Sequence, residues 1–308
     1  MKTFAGIEIG GSKLQIVTGN ENAEILERFR FSVNPSEGAE GIRGHIARTF
    51  KKLKTAELSS IGVGFGGPID RNAGKVWTSY HVKGWSGFEL KTWLSDLTDL
   101  PVAVDNDANV AALGEAFQGA GKNFNNVFYV TLGSGVGGGL VVNKRIYHGA
   151  LPGELEIGHI RLDKSGRTIE SSCSGWAVDQ KIREAVQSTP GSKLSELVKP
   201  FKGAEAKALS EALRIHDKDG LKILTETIDD LALGLSHVIH LIHPKTIVLG
   251  GGLTLIGEPL LSLIQKKLPD YIMDAFQPGP IIQLSALKED VVPVGALTLA
   301  SQLENKRP

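Results

Sequence analysis

The chain has 308 residues, about twice the length of a typical domain, so two domains are expected. Hydrophobic residues make up 41% of it and charged residues 22%, a balance that excludes a disordered chain. The 34 basic residues equal the 34 acidic ones, so no net charge draws the protein to nucleic acid or to a membrane surface. A single cysteine excludes an internal disulfide and any multi-cysteine metal site.

Hydropathy predicts neither a signal peptide nor a membrane span. Glu8, Gly10 and Gly11 interrupt the apolar N-terminal stretch before it could act as a signal core. The longest uncharged helical run, residues 231–244, is well short of the roughly 20 residues that a membrane span needs. We therefore expect a cytoplasmic protein that binds neither membrane nor nucleic acid.

The first third of the chain alternates short β-type runs with amphipathic helical runs, as an α/β domain does. The first two strands are joined by the small residues Gly10-Gly11-Ser12. In chain order, we predict strands over 4–9, 14–18 and 25–33, a helix over 37–53, a strand over 61–65, a helix over 88–97, a strand over 102–104 and a helix that opens at Asp107.

The same pattern starts again near the middle of the chain, with a glycine-rich turn between two strands. Because each half opens with a similar hairpin, the sequence predicts a duplicated α/β domain with a cleft between the copies. The predicted domains are 1–118, joined by a C-terminal helix over 294–308, and 119–293. The second half is predicted to contain strands over 127–132 and 139–142 around a turn over 133–139, a long helix from near Asp217 to before Pro244, a strand over 246–249 and a helix over 258–268.

The two hairpin tips are candidate phosphate sites, because glycine and serine leave several backbone N–H groups uncovered. Ordinary tight turns are the alternative, which the repetition in both halves makes weaker. The glycines from Gly133 to Gly138 also fit the pattern G-x-G-x-x-G. They lead into a strand, whereas the dinucleotide fingerprint must open a helix, so that match is discarded.

Asp105-Asn106-Asp107-Ala108-Asn109 is the sharpest local feature. It follows a strand and begins a helix, the position where α/β folds place ligands. One of these residues is expected to cap the helix, but four cap-type residues among five exceed that need. A carboxylate here could accept a proton from a substrate hydroxyl, as phosphoryl transfer to an alcohol requires.

Glu154, Glu156 and His159 form a second polar group, beside Gly153 and Gly158 in a predicted loop. They could be a fragment of a metal site or a loop with a hydrogen-bonded histidine. Recognition of several hydroxyl groups fits better, since no second cluster of metal ligands accompanies them.

Together these motifs resemble the ROK family (repressors, open reading frames and sugar kinases) of the actin-like ATPase-fold superfamily, over residues 5–300. The resemblance implies an α/β fold of two actin-like (ribonuclease H-like) ATPase domains with a central cleft. The motifs are Ile7-Glu8-Ile9-Gly10-Gly11-Ser12-Lys13, Gly64-Phe65-Gly66-Gly67-Pro68-Ile69-Asp70 with Gly84-Trp85, Asp105-Asn106-Asp107-Ala108-Asn109 with Ala111-Ala112-Leu113-Gly114-Glu115, Leu132-Gly133-Ser134-Gly135-Val136-Gly137-Gly138-Gly139, Gly158-His159 after Glu156, and Gly250-Gly251-Gly252.

The resemblance implies an ATP-dependent sugar kinase that transfers the γ-phosphate of Mg-ATP to a hexose hydroxyl, the one on C6. Glucose, fructose, mannose and N-acetylmannosamine remain open as substrates, and a homodimer is expected. A non-catalytic sugar-binding sensor of the same fold is the alternative. A family repressor would need a winged helix-turn-helix before the first hairpin, which begins here at Phe4.

The resemblance also implies roles for individual residues, with Asp107 as the general base. The expected sugar-binding residues are Gly67, Asn106, Asp107, Glu156, His159 and Glu170. The expected residues for Mg-ATP are Glu8, Gly10, Gly11, Ser12, Lys13, Gly133, Ser134, Gly135, Gly251 and Gly252.

Three departures from the family pattern affect these expectations. The family's structural zinc uses three cysteines, and none lies between His159 and Glu170. We therefore expect no structural zinc, and no residue that binds a resident metal ion. Glu8 replaces the usual aspartate of the first phosphate motif, where its longer side chain would approach Mg²⁺ through water. His81 stands where an asparagine is common, which would change the sugar preference.

Overall fold

The computed structural model describes residues 2–79, 82–151 and 153–304. Strands and helices alternate along the chain in two successive series. The strands are β1 (Thr3–Ile9), β2 (Lys13–Asn20), β3 (Ile25–Ser32), β4 (Leu58–Phe65), β5 (Ile69–Asp70), β6 (Lys75–Val76), β7 (Val102–Asn106), β8 (Asn126–Leu132), β9 (Val136–Val142), β10 (Arg145–Ile146), β11 (Thr246–Gly250) and β12 (Ile281–Leu284).

The α-helices lie on either side of these strands in the sequence, and the longest follows the second glycine hairpin by about eighty residues. They are α1 (Gly38–Lys52), α2 (Leu90–Thr98), α3 (Asp107–Phe117), α4 (Ile169–Cys173), α5 (Gly175–Ser188), α6 (Lys193–Leu197), α7 (Leu209–Arg214), α8 (Lys218–Ile242), α9 (Glu258–Lys267) and α10 (Val291–Glu304). No helix in this described part of the chain is long and apolar enough to cross a membrane.

The elements predicted up to Asp107 are confirmed, and their ends differ only slightly from the prediction. The short hairpin of β5 and β6 and the short strand β10 were not predicted, because two residues carry too little periodicity to be detected.

The two five-stranded sheets have equivalent strand orders. The first is β3-β2-β1-β4-β7, and the second is β10-β9-β8-β11-β12. In the first sheet, β1 is antiparallel to β2 and parallel to β4, which is parallel to β7. In the second, β11 and β12 are parallel. Each sheet therefore has a glycine hairpin next to its parallel strands, which agrees with the predicted internal repeat.

The chain divides into two compact units that are not continuous in sequence. The first unit comprises Met1–Tyr129, Gly139–Leu155 and Ala286–Pro308, and the second comprises Val130–Gly138 and Glu156–Ser285. The domain limits expected from the sequence, 1–118 with 294–308 and 119–293, stay a prediction.

Close backbone packing in the first unit fixes the position of α3. A Cβ on Gly62 of β4 would collide with the Ala296 carbonyl of α10, and one on Gly295 would collide with the Val110 carbonyl of α3. Glycine at these two positions lets α10 approach both neighbours. As a result α3, which begins with Asp107, is held against the sheet through α10.

The predicted turn over 133–139 was too long, since β9 begins at Val136 and the turn is only 133–135. The glycines that follow lie within the strand. A Cβ on Gly139 would lie 2.6 Å from the Ala108 carbonyl of α3, so this glycine permits close packing and does not turn the chain.

Candidate functional site

The first glycine hairpin is closed by backbone hydrogen bonds. The Gly10 N–H donates to the Lys13 carbonyl at 3.0 Å, and the Ser12 carbonyl accepts from the Val33 N–H at 3.0 Å. At the end of the adjacent strand, the Gly66 N–H donates to the Ile9 carbonyl at 2.9 Å. The predicted residues Gly10, Ser12 and Lys13 are thus held in a defined turn at the carboxyl end of β1.

Glu8 lies beneath this turn and is 8% exposed. Its Oε1 lies 3.1 Å from the Lys13 Nζ, and its Oε2 accepts from the Gln15 Nε2 at 2.6 Å. Burial raises the pKa of Glu8, while Lys13 and Gln15 act in the opposite direction. Gln15 was not among the predicted site residues, because a glutamine inside a strand has no motif that marks it.

Asn106 caps helix α3, in agreement with the expectation that one residue of its motif does so. Its Oδ1 accepts from the Ala108 N–H at 2.9 Å, and its Nδ2 donates to the Gly67 carbonyl at 3.2 Å. The structure thus brings the predicted residues Asn106 and Gly67 together and fixes where α3 begins.

The Asp107 carboxylate lies at the junction of three chain segments in the first unit. A Cβ added at Gly66 would lie 3.3 Å from the Asp107 Oδ2, 3.4 Å from the Ile9 carbonyl and 3.7 Å from the Gly10 Cα. The carboxylate therefore lies next to the turn that follows β4 and close to the first glycine hairpin. A side chain larger than that of glycine at position 66 would crowd it.

The other polar residues of this motif belong to a cluster that sequence reasoning missed. The Asp105 Oδ2 lies 2.7 Å from the His148 Nε2. The Asn109 Nδ2 donates to the Asp105 Oδ1 at 3.0 Å and to the Glu154 Oε1 at 2.8 Å. Arg71 completes the cluster, with its NH1 3.3 Å from the Glu154 Oε2.

This cluster ties the segment after β10 to the start of α3. Among the described residues, Asp105, His148 and Glu154 could also bring three ligand atoms within 4.8 Å of one another around a metal ion. The Arg71 guanidinium already balances the Glu154 carboxylate, which favours a polar network over a cation site. Glu154, grouped in the sequence with Glu156 and His159, lies in the first unit, whereas those two lie in the second.

The second glycine hairpin is fastened in a different way. The Gly133 N–H donates to the Gly135 carbonyl at 3.0 Å, and the Gly133 carbonyl accepts from the Gly175 N–H, at the start of α5, at 2.7 Å. The Glu170 Oε2 accepts from the Val136 N–H at 2.9 Å. Glu170, expected to contact sugar, thus lies against the second turn.

Glu156 precedes a short 3-10 helix, Ile157–His159, and His159 is its last residue, where a loop was predicted. A Cβ on Gly158 would collide with the Val136 carbonyl and lie 3.4 Å from the Glu170 Cβ. Glycine at this position lets the segment pack against the start of β9. Glu156, His159 and Glu170 are therefore carried on neighbouring segments, as the motif order suggests.

Gly251 and Gly252 follow β11 and lie near the same turn. Gly251 has a φ of +87°, and a Cβ there would lie 2.5 Å from the Leu132 carbonyl carbon, at the end of β8. Only glycine accommodates both that backbone conformation and that approach. The predicted nucleotide residues of the second unit therefore lie close together.

Hydrogen bonds and ion pairs hold the loop between His159 and Glu170. The Leu162 N–H donates to the Arg167 carbonyl at 2.8 Å. The Arg167 guanidinium lies 3.1 Å from the Asp163 carboxylate and 2.9 Å from that of Asp230 on α8. Hydrogen bonds from Ser165 and Arg167 lower the pKa of Asp163 to about 2. These noncovalent contacts stabilise the loop.

Cys173 is buried, and burial raises the pKa of its thiol to about 12. A thiol that stays protonated is a poor zinc ligand, since zinc binds the thiolate. The expected lack of structural zinc stays a prediction that fits this geometry. His81, the other departure from the family pattern, lies outside the described residues.

The chain has two series of strands with equivalent orders, each with a glycine hairpin. This is the architecture of proteins with the two-domain actin-like fold. The model of the ROK family matches residues 4–303, and the chain belongs to that family.

Several known proteins resemble this chain over nearly its whole length. It is 30% identical to a glucokinase of Halalkalibacterium halodurans, over 98% of this chain and 96% of that protein. It is 28% identical to a ROK family glucokinase of Streptomyces griseus in complex with glucose and AMPPNP, with a TM-score of 0.84, over 97% of this chain and 99% of that one. A ROK family transcriptional regulator, a homologue of the E. coli MLC protein, has a TM-score of 0.86 at 19% identity, over 97% of this chain and 78% of that one. That last similarity concerns the fold alone.

Proposed function

We propose that this protein is an ATP-dependent sugar kinase, which transfers the γ-phosphate of Mg-ATP to the 6-hydroxyl of a hexose. The observation that carries the proposal is the position of the Asp107 carboxylate, close to Gly66 and Gly10 at the start of α3. Relatives described as glucokinases, including one in complex with glucose and AMPPNP, support the same reaction class.

In this proposal Asp107 is the general base. It accepts the proton of the attacking sugar hydroxyl as the new O–P bond forms and the bond to the ADP leaving group breaks. The start of a helix suits this role, because the N-terminal dipole favours the anionic carboxylate. Asn106 fixes that helix start through its bonds to Ala108 and Gly67, so the direction of the Asp107 side chain is set in advance.

The sugar-binding groups in the proposal are the Asn106 amide, the Gly67 backbone and the side chains of Glu156, His159 and Glu170. Carboxylates, an amide and an imidazole suit hydroxyl groups, because they accept and donate hydrogen bonds in fixed directions. Glu170 is already oriented by the Val136 N–H.

The nucleotide phosphates are assigned to the turns Gly10-Gly11-Ser12 and Gly133-Ser134-Gly135, with Lys13 as the nearby cation and Gly251 and Gly252 on the adenosine side. Glu8 fits an approach to Mg²⁺ through water: a carboxylate offers about four acceptor positions, and Lys13 and Gln15 engage one oxygen each. Magnesium, when bound, neutralises charge on the transferred phosphoryl group.

A coupled assay of ADP release tests the proposal, with glucose, fructose, mannose and N-acetylmannosamine as acceptors. We expect sugar-dependent ADP release with at least one of them. Sugar binding in calorimetry without turnover on any acceptor would favour the non-catalytic sensor instead. A homodimer also stays a prediction, which light scattering on the purified protein can check.

A further inference from the structure

A row of polar side chains crosses the three strands beneath the first glycine hairpin. In the register of the sheet, Glu8 of β1 is opposite Gln15 of β2, and Gln15 is opposite Arg30 of β3. Lys13 precedes Gln15 by two positions, so it projects from the same face of β2. The strand pairing therefore aligns a carboxylate, an amide and a guanidinium, with an ammonium diagonal to the carboxylate.

The hydrogen bonds along this row run in one direction. The Arg30 Nε donates to the Gln15 Oε1 at 2.7 Å, and the Gln15 Nε2 donates to the Glu8 Oε2 at 2.6 Å. Turning the Gln15 amide over would place its NH₂ against the guanidinium and its oxygen against the carboxylate. The amide has one favourable orientation, since each end faces a charge of opposite polarity.

The row is buried at its centre and anchored at its outer end. Gln15 is 1% exposed. The Arg28 NH1 donates to the Gln15 Oε1 at 3.2 Å and lies 2.6 Å from the Asp290 carboxylate, just before α10. Asp290 thereby holds the Arg28 guanidinium against the Gln15 side-chain oxygen, which strengthens the preference of the amide for its single orientation.

We propose that Gln15 is a positioning residue for the phosphate-binding hairpin, because it orients Glu8, which in turn holds the Lys13 ammonium beside the turn. The proposal rests on the proposed function, in which Lys13 faces the phosphates of ATP. A side chain that acts through Lys13 affects the affinity for phosphate groups and leaves the affinities for adenosine and for sugar unchanged.

The experiment compares Gln15→Met with the wild type by calorimetric titration of ADP and of adenosine, and by steady-state kinetics. Methionine has a similar length but makes none of these hydrogen bonds. We expect the dissociation constant for ADP and the KM for Mg-ATP to rise about tenfold, the scale of one hydrogen bond to a charged group. Adenosine affinity, sugar KM and kcat should change by less than about threefold.

Thr18→Val is the matched control, because Thr18 is a buried residue on the opposite face of the same strand. It should leave all of these quantities unchanged. If Gln15→Met weakened the binding of ADP, adenosine and sugar equally, Gln15 would have a merely structural role and the proposal would be overturned. Unchanged ADP affinity would overturn it as well.

Arg30→Met provides a second route if Gln15→Met does not fold, since Arg30 is half exposed. It should weaken ADP binding selectively, by a smaller factor than Gln15→Met does. If the variant shows no selective loss of ADP affinity, the proposal is overturned. A wild-type protein that binds ADP no better than adenosine would have a wider consequence: it would overturn the assignment of phosphate to this hairpin, and the proposed function with it.

Discussion

The two glycine hairpins occupy equivalent places in their sheets and are supported in different ways. Beneath the first, Lys13 pairs with Glu8, and Glu8 is bonded to the buried Gln15. The second has neither a lysine nor a charged row within its strands, and its turn is tied by the Gly175 N–H and by the Glu170 carboxylate.

The difference shows how a repeated backbone can acquire unlike sites. The equivalent strand order reproduces the turn and its backbone N–H groups in both units, because these depend only on the backbone. The side chains around each turn determine its charge. We infer that the first hairpin is specialised for phosphate charge, and that Glu170 links the second to the sugar.

The largest expected effect comes from Asp107, beside the first hairpin. Asp107→Asn keeps the size of the side chain but removes the base, so kcat should fall by roughly 10²–10⁴-fold while sugar affinity is retained. Steady-state kinetics and calorimetry measure the two quantities. Asp99→Asn, at the exposed end of α2, is the matched control. Near-normal turnover of Asp107→Asn with sugar still bound would show that the base is elsewhere.

Gly135→Ala tests the second hairpin. Its Cβ would lie 2.5 Å from the Glu170 Oε2, so Glu170 must leave the Val136 N–H. We expect kcat/KM for sugar to fall about tenfold, with little change in Tm because the displaced atom ends a flexible side chain. Because Gly135 also belongs to a turn assigned to phosphate, the KM for Mg-ATP should change as well. Gly10→Ala, whose Cβ would meet the Lys13 carbonyl at 3.3 Å, should alter the KM for Mg-ATP alone.

Combining Gly135→Ala with Glu170→Gln checks the route of this effect. If the alanine acts through Glu170, the two losses in kcat/KM should be far from additive. Additive losses would mean that the turn and the carboxylate contribute separately.

Glu8→Gln tests whether the charged row under the first hairpin reduces stability. Because burial raises the pKa of Glu8, its ionisation opposes folding: the contribution is favourable below the unfolded pKa near 4.5 and is lost as pH rises through the folded value. The variant should therefore have a higher Tm than the wild type at pH 7, and the difference should be smaller at pH 4. Thermal scans across this pH range measure it, and a variant less stable at every pH would contradict the sign.

Asp163→Asn probes the loop between His159 and Glu170, with a smaller and local effect. Hydrogen bonds from Ser165 and Arg167 lower the pKa of Asp163 to about 2, so its contribution is present above the unfolded pKa of 3.8 and is lost as pH falls towards 2. Amide exchange over 160–168 should be faster in the variant at pH 5, and the difference should shrink below pH 4. Equal exchange at pH 5 would count against the role of Asp163.

Metal removal should have the smallest effect. Cys173 is a buried, protonated thiol, and ion pairs stabilise the loop between His159 and Glu170. Dialysis against a chelator should therefore leave Tm unchanged. One zinc per chain in elemental analysis would refute this prediction.

Much of the fold could be predicted because its signals are local. Apolar periodicity marked α1 and α8, and the small residues of two turns marked the hairpins. That one residue of the motif 105–109 caps α3 followed from residue types that compete for helix N–H groups, and the structure shows that this residue is Asn106. The extent of β9 could not be predicted, since Gly139 serves the approach of a helix about thirty residues earlier in the chain.

The two hairpins, the helix that begins at Asp107 and the motif order of the ROK family could be read from local sequence, because each depends on neighbours along the chain. Which distant side chains meet depends instead on the folded chain. His148 reaches Asp105 across 43 positions, and Arg28 reaches Asp290 across 262. These pairs depend on strand register and on the packing of α10 against the first sheet, which no local pattern encodes.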